Sequence, residues 1–382
     1  MEANAPPPAG PPPPPIAPPP VVFPPATQPP RRGRGWMITA LVLLVLLVSS
    51  VLFNVVSFAS NLLGGKSARY GARTAGPRLD EVVMEDNDAL NKIAVIHVEG
   101  IITGQVIDQG GHSMVELIRA QLKNAQEDDQ VKAVILKVDS PGGEVLASDE
   151  IYRAISEFES KPSHKPVVAS MGSLAASGGY YVSAPCRWIV ANDMTITGSI
   201  GVIMSSWNYR GLMDKIGLLP QTYKSGKYKD MLSGSREPDS VTPEEKAMLQ
   251  GLIDETFGKF KSVVQEGRDA AYEKNKDAND KGRPLSDHWQ DYADGRVLSG
   301  TEAFKLGFVD ELGGFKDAVA RAKKLAGIGN ANLIEYQQRY DISDLFRLFG
   351  KSEARVIKVD VGLDTPKLQA GQMYFLSPTF VH

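Results

Sequence analysis

Hydrophobic positions change their period several times along the chain, and the changes mark its elements. From Met37 to Phe58 there is no formal charge, which is enough residues to cross a bilayer at roughly 20 per span. Lys92 to Val98 reads as a first buried strand, and Met114, Leu117, Ile118 and Leu122 then recur at helical spacing. Val131 to Val138 is a β-branched run, Ile151, Ile155 and Phe158 form a second helical stripe, and Pro166 to Met171 and Trp188 to Ala191 read as further strands. Strand and helix alternate, which predicts an α/β domain with parallel pairing. A long helix is predicted from Thr242, where Thr-Pro-Glu-Glu245 supplies a cap, a proline at the first helical position and a capping-box glutamate. Leu252, Ile253, Phe257, Phe260 and Val264 continue its apolar stripe, as cover for the sheet or as a contact with another copy.

Composition alters this picture mainly at the front. Half of residues 1–30 are proline, which predicts an extended, disordered segment over 1–35. Arg31, Arg32 and Arg34 precede the apolar run, so residues 36–58 are expected to be a retained transmembrane helix with its N-terminus cytoplasmic and the remainder beyond the membrane. The small-x-small triplet Ser57-Phe58-Ala59 suits a cleavable signal, but the n-region would be unusually long. Residues 59–90 read as a linker, 91–330 as the main domain and 331–382 as an extension ending in Met373-Tyr-Phe-Leu-Ser-Pro378. A net charge of −3 offers no footprint for nucleic acid. The single cysteine, Cys186, excludes an internal disulfide and a multi-cysteine zinc site.

Two glycine-bearing segments fall where strands are predicted to end, the usual location of ligand sites in parallel sheets. In Asp139-Ser-Pro-Gly142-Gly143 two glycines let the backbone approach a ligand and could aim N–H groups at a developing oxyanion, although a plain strand-to-helix turn would equally favour Pro-Gly-Gly. In Gly172-Ser-Leu-Ala-Ala-Ser177-Gly178-Gly179, small neighbours leave room for a carbonyl at the Ser177 hydroxyl, although they would equally serve close helix packing. None of His97, His112, His164, His288 and His382 has the context of a general base. Lys224, Lys227 and Lys229, after an expected strand, are the alternative, since a lysine can accept a proton once burial lowers its pKa. Tyr223 and Lys227 match the spacing of short-chain dehydrogenases, but no dinucleotide fingerprint accompanies them.

Taken in order, Asp139-Ser-Pro-Gly-Gly143, Ala176-Ser-Gly-Gly-Tyr-Tyr181, Thr197-Gly-Ser-Ile-Gly201, Gly226-Lys-Tyr-Lys229 and Gly295-Arg-Val-Leu-Ser-Gly300 resemble the signal peptide peptidase A family, peptidase S49, over about residues 91–326. The resemblance implies a ClpP/crotonase-like α/β fold with parallel sheets and flanking helices. It implies a Ser-Lys dyad of Ser177 and Lys229, a lysine-orienting Ser199, and oxyanion donors among Gly142, Gly143 and Gly178. It also implies a membrane-anchored serine endopeptidase of the short, single-domain type, forming homo-oligomers and cutting remnant signal peptides or other hydrophobic peptides. No cofactor or metal is implied. A crotonase-like acyl-CoA enzyme and a non-catalytic membrane scaffold are the alternatives.

Overall fold

The computed structural model describes residues 35–63, 76–106, 111–162, 165–277, 280, 282–338 and 373–376. The proline-rich segment, Arg31, Arg32, Arg34, His164, His382 and most of the C-terminal extension lie outside the described residues. The chain divides into two units, 1–74 and 75–382. In the first, helix α1 (Gly35–Leu63) takes up the expected apolar run. Its side chains are described over 37–52, where they are exposed; among the described residues no helix is long and apolar enough to cross a membrane.

The second unit is built on one mixed sheet. Its elements, in chain order, are β1 (Leu79–Glu85), β2 (Lys92–Ile102), α2 (Met114–Glu127), β3 (Val131–Glu144), α3 (Val145–Ser160), β4 (Val167–Ala176), α4 (Gly178–Ser183), β5 (Trp188–Ala191), β6 (Ile196–Gly198), α5 (Arg210–Lys215), α6 (Pro243–Asp277), β7 (Val297–Ser299), α7 (Gly300–Lys305), β8 (Glu311–Leu312), α8 (Phe315–Leu325), β9 (Asn332–Gln338) and β10 (Tyr374–Leu376). The main path runs β1-β9-β2-β3-β4-β5-β8, parallel throughout except where β1 meets β9. β1 falls in the stretch expected as a linker, and β9 lies beyond residue 330, so the sheet draws on residues either side of 91–330.

Alternation along the strands explains why helices cover both faces. Ala94, Ile96 and Val98 of β2 join Val134, Leu136 and Val138 of β3 in a core closed by α2, α3, α4 and α6. The intervening Ile93, Val95, Ala133 and Ile135 point the other way, onto Ala318 and Ala322 of α8. β2 and β3 are therefore apolar on both sides, and this is why their sequences read as largely hydrophobic runs.

The structure corrects two local expectations. Pro141-Gly142-Gly143 is not a turn between strand and helix: β3 stays extended through Glu144, because β2 pairs with it on one side as far as Ile102↔Gly143. The strand expected before Lys224 is absent; residues 204–237 form turns around α5 and carry exposed apolar groups rather than ladder partners. The long helix does begin as expected, with Glu245 N–H donating to Thr242 Oγ1 at 3.2 Å and Thr242 N–H donating to Glu245 Oε2 at 2.8 Å. Its stripe splits in two: Phe260 and Val264 are buried in the sheet core, whereas Leu252 is exposed.

Candidate active site

Ser177 follows the last residue of β4 and precedes the first turn of α4. Its φ is 54° and its ψ −115°, a left-handed backbone that costs a side-chain-bearing residue on the order of 1–3 kcal/mol. The conformation is held from two directions: Ser177 N–H donates to Gly198 O at 2.8 Å, and Tyr181 N–H donates to Ser177 O at 2.8 Å. The residue is 1% exposed, yet among the described residues its Oγ has no hydrogen-bond partner, and it makes no cap to α4. A buried hydroxyl left unmatched costs roughly 1–3 kcal/mol more. Two unfavourable features at one residue, neither needed to build the sheet, are what a reserved nucleophile looks like.

Glycines bring three backbone segments together beside it. A Cβ on Gly178 would lie 2.8 Å from Ser148 Oγ, 3.0 Å from Gly142 Cα and 3.1 Å from Gly143 N, so the segment after Ser177 abuts the Pro-Gly-Gly stretch of β3. Gly142 has a φ of +102°, and a Cβ there would lie 2.6 Å from Gly178 N. Its own N–H is engaged by Ser140 Oγ at 3.1 Å. Gly143 is needed for another reason as well, since a Cβ there would strike Ile102 O at 1.9 Å. The N–H groups of Gly143 and Gly178 therefore belong to one small neighbourhood next to a buried serine.

Ser199 follows β6, whose pairing Ala176↔Gly198 with β4 puts Ser199 level with Ser177. It too is left-handed, with a φ of 51°, and is 3% exposed. Lys229 is placed differently: it is exposed, within the turns after α5, and makes no hydrogen bond to Ser177 in the single chain. Its neighbours are committed elsewhere, Lys224 Nζ to Asp230 Oδ1 at 2.7 Å and Lys227 Nζ to Glu244 Oε2 at 2.8 Å. The Glu244 carboxylate raises the Lys227 pKa above that of a free lysine, the wrong direction for a base.

The described histidines do not supply one either. His97 Nδ1 lies 2.9 Å from Glu99 Oε1 on β2, and His288 is exposed. Cys186 is buried with its thiol pKa pushed well up by desolvation, as suits an inert core cysteine.

Comparison with known proteins agrees with this geometry. The model of peptidase family S49 matches residues 159–329, and that of Clp protease matches residues 86–197. A Synechocystis sp. protein named as a protease is 39% identical over 239 residues, covering 62% of this chain and 79% of its own. An Enterococcus faecium protein named as a signal peptide peptidase SppA is 36% identical over 287 residues, 73% of this chain and 76% of its own. The chain belongs to peptidase family S49. It is a serine peptidase on a ClpP-like α/β fold. Protease 4 of Haemophilus influenzae, 36% identical over 245 residues, is a longer relative of which this chain covers 36%.

Beside Ser177 the structure also brings together side chains whose proximity the sequence did not show. Tyr181, Phe260 and Phe375 meet in one buried aromatic cluster, with ring centroids 4.6–4.9 Å apart. Tyr181 lies four residues beyond the serine, Phe260 on a helix far along the chain, and Phe375 in the extension. Only the apolar run Met373-Tyr-Phe-Leu was a visible signal for the last of these. A surface cavity does exist elsewhere, between α2 and α3, but it takes in none of the candidate residues.

Proposed function

We propose that this S49 peptidase is a membrane-anchored endopeptidase in which Ser177 is the nucleophile and Lys229 the general base, and that it cuts remnant signal peptides or other hydrophobic peptides beside the membrane. The observation that carries the reading is the buried, left-handed Ser177 with an uncommitted hydroxyl beside the backbone of Gly143 and Gly178. Ser177 attacks the substrate carbonyl, the glycine N–H groups hold the oxyanion, and the lysine takes the hydroxyl proton and returns it to the leaving amine. Ser199, level with the nucleophile, would orient the lysine.

The lysine reaches the serine between copies. Ser177 makes no hydrogen bond to Lys229 within one chain, and of the three neighbouring lysines Lys229 alone is without an ion-pair partner among the described residues. The segment that carries it is rich in exposed apolar side chains: Trp207, Leu212, Ile216, Leu219 and Tyr223 are all more than half exposed. Such a surface suits a homo-oligomer better than open water. The proposed anchor is supported by the uncharged run from Met37 to Phe58 behind three arginines, a pattern that favours a cytoplasmic N-terminus and a catalytic domain on the other side of the membrane.

The test is labelling with a fluorophosphonate together with casein digestion, using full-length protein in detergent. Labelling of Ser177 and cleavage that is lost in Ser177→Ala are expected. Labelling elsewhere, or an unaffected Ser177→Ala variant, overturns the assignment.

A further inference from the structure

Residues 224–237, which carry Lys229, form no strand or helix. The nearest backbone contacts are short-range ones, Lys229 N–H donating to Gly226 O at 3.2 Å, Met231 N–H to Tyr228 O at 3.1 Å and Ser233 N–H to Asp230 O at 3.0 Å. Turns of this kind do not by themselves hold a long side chain to the precision that proton transfer needs.

The remaining support is ionic and centres on Arg236. Its Nη1 donates to Glu245 Oε1 at 2.7 Å and lies 3.6 Å from Asp230 Oδ1, while Nη2 donates to Ser240 O at 2.7 Å and to Glu245 Oε2 at 3.4 Å. Asp230 Oδ1 also accepts from Lys224 Nζ at 2.7 Å. The guanidinium thus bridges the residue after Lys229 to the first turn of α6. The side chains of Asp230, Arg236 and Glu245 are 13%, 14% and 3% exposed, so water and salt screen them little. The neighbouring Lys227–Glu244 pair is 65% and 56% exposed and contributes little.

The far end of the bridge is fixed in the core. Phe260 of α6 is fully buried with its ring centroid 4.9 Å from that of Tyr181, and a Cβ on Gly267 would fall 2.6 Å from Ala184 O. Tyr181 and Ala184 belong to α4 and its C-cap, and α4 begins directly after Ser177. Glu245 therefore stands on a helix seated against the one that follows the nucleophile. With Asp230 drawn in toward Arg236, the adjacent Lys229 is left exposed.

We propose that Arg236 is a positioning residue for the reaction: by bridging Asp230 to Glu245 it fixes the turn from which Lys229 takes the serine proton, and it touches neither substrate nor reacting atoms. The inference rests on the assignment of Lys229 as the base given above.

The test uses full-length protein in detergent, casein kinetics, and the rate at which a fluorophosphonate labels Ser177, with light scattering to confirm that each variant keeps the wild-type mass. Arg236→Met is expected to leave KM unchanged and to lower kcat roughly 10–100-fold, the scale set by an ångström-sized misplacement of a reacting group. Should Arg236→Met fail to assemble, Asp230→Asn, which keeps the shape and removes the charge at the other end of the bridge, is read in the same way. In a Lys229→Ala background labelling is expected to be slow, and Arg236→Met should slow it no further, since Arg236 acts only through the lysine. An unchanged kcat overturns this inference and leaves the peptidase reading standing, and so does an equal further slowing in the Lys229→Ala background. A Lys229→Ala protein that labels and cleaves at the wild-type rate overturns the assignment of the base and this inference with it.

Discussion

Ser177 and Ser199 stand level at the ends of neighbouring parallel strands, and both are left-handed, with φ of 54° and 51°. Ser177 N–H donates to Gly198 O, so the turn that carries one serine braces the turn that carries the other. This arrangement stores strain where a side chain must be presented rather than packed.

If that strain serves catalysis, removing it separates stability from activity. Ser177→Gly is expected to abolish casein cleavage and yet to raise stability by about 1 kcal/mol, because glycine accepts positive φ and no buried hydroxyl is left unmatched. Denaturant unfolding of the two proteins checks this. A clear loss of stability would mean that the hydroxyl has a structural partner.

The proposed reach of Lys229 between copies predicts complementation. Ser177→Ala and Lys229→Ala are each expected to be inactive alone, and co-expression of the two chains should restore part of the activity by pairing an intact serine with an intact lysine. Lys227→Ala should stay active, since that lysine is tied to Glu244. Inactive mixtures in a confirmed hetero-oligomer would place both groups in one chain.

The start of α6 should be acid-sensitive. Arg236 Nη1 lies 2.7 Å from Glu245 Oε1, and this contact, with the Thr242 N–H, holds the Glu245 carboxyl down to about 2. A folded pKa below the unfolded value of about 4.3 stabilises fully above that value, and the contribution is lost as pH falls through about 2. Hydrogen exchange at residues 242–246 should show protection at pH 5 and little near pH 2. In Glu245→Gln the protection should already be weak at pH 5; equal protection in the two proteins would dismiss the contact.

Arg268 and Asp310 form a fully buried ion pair beneath the sheet, where Arg268 also donates to Cys186 O at 2.9 Å and Asp310 accepts from Ile189 N–H at 2.8 Å. Burial raises the Asp310 pKa, so the carboxylate depends on its partner. Arg268→Met is expected to cost about 3–5 kcal/mol by stranding that charge, and Asp310→Leu in the same chain should recover much of the loss. Thermal unfolding of the single and double variants measures it, and additive losses would count against coupling.

The fold class was legible in the amino-acid sequence alone. The β-branched run Val131–Val138 reads as a strand, and Thr242 with Glu245 marks a helix start through local hydrogen bonds that need no tertiary information. The serine in Ala176-Ser-Gly-Gly was likewise legible, because tolerance for a strained turn is written in small residues. Three things were decided only by the tertiary structure. Pro141-Gly-Gly143 became strand rather than turn because β2 and β10 lie alongside it, and ladder partners contributed from distant sequence override local preference. Phe260 and Leu252 share one stripe, yet only the first is buried, since only its part of the helix packs into the core cluster. Phe375 came to rest on Tyr181, 194 positions earlier, because both follow the same backbone cleft; pairing along an edge depends on hydrogen-bonding geometry, to which the identity of the paired side chains contributes almost nothing.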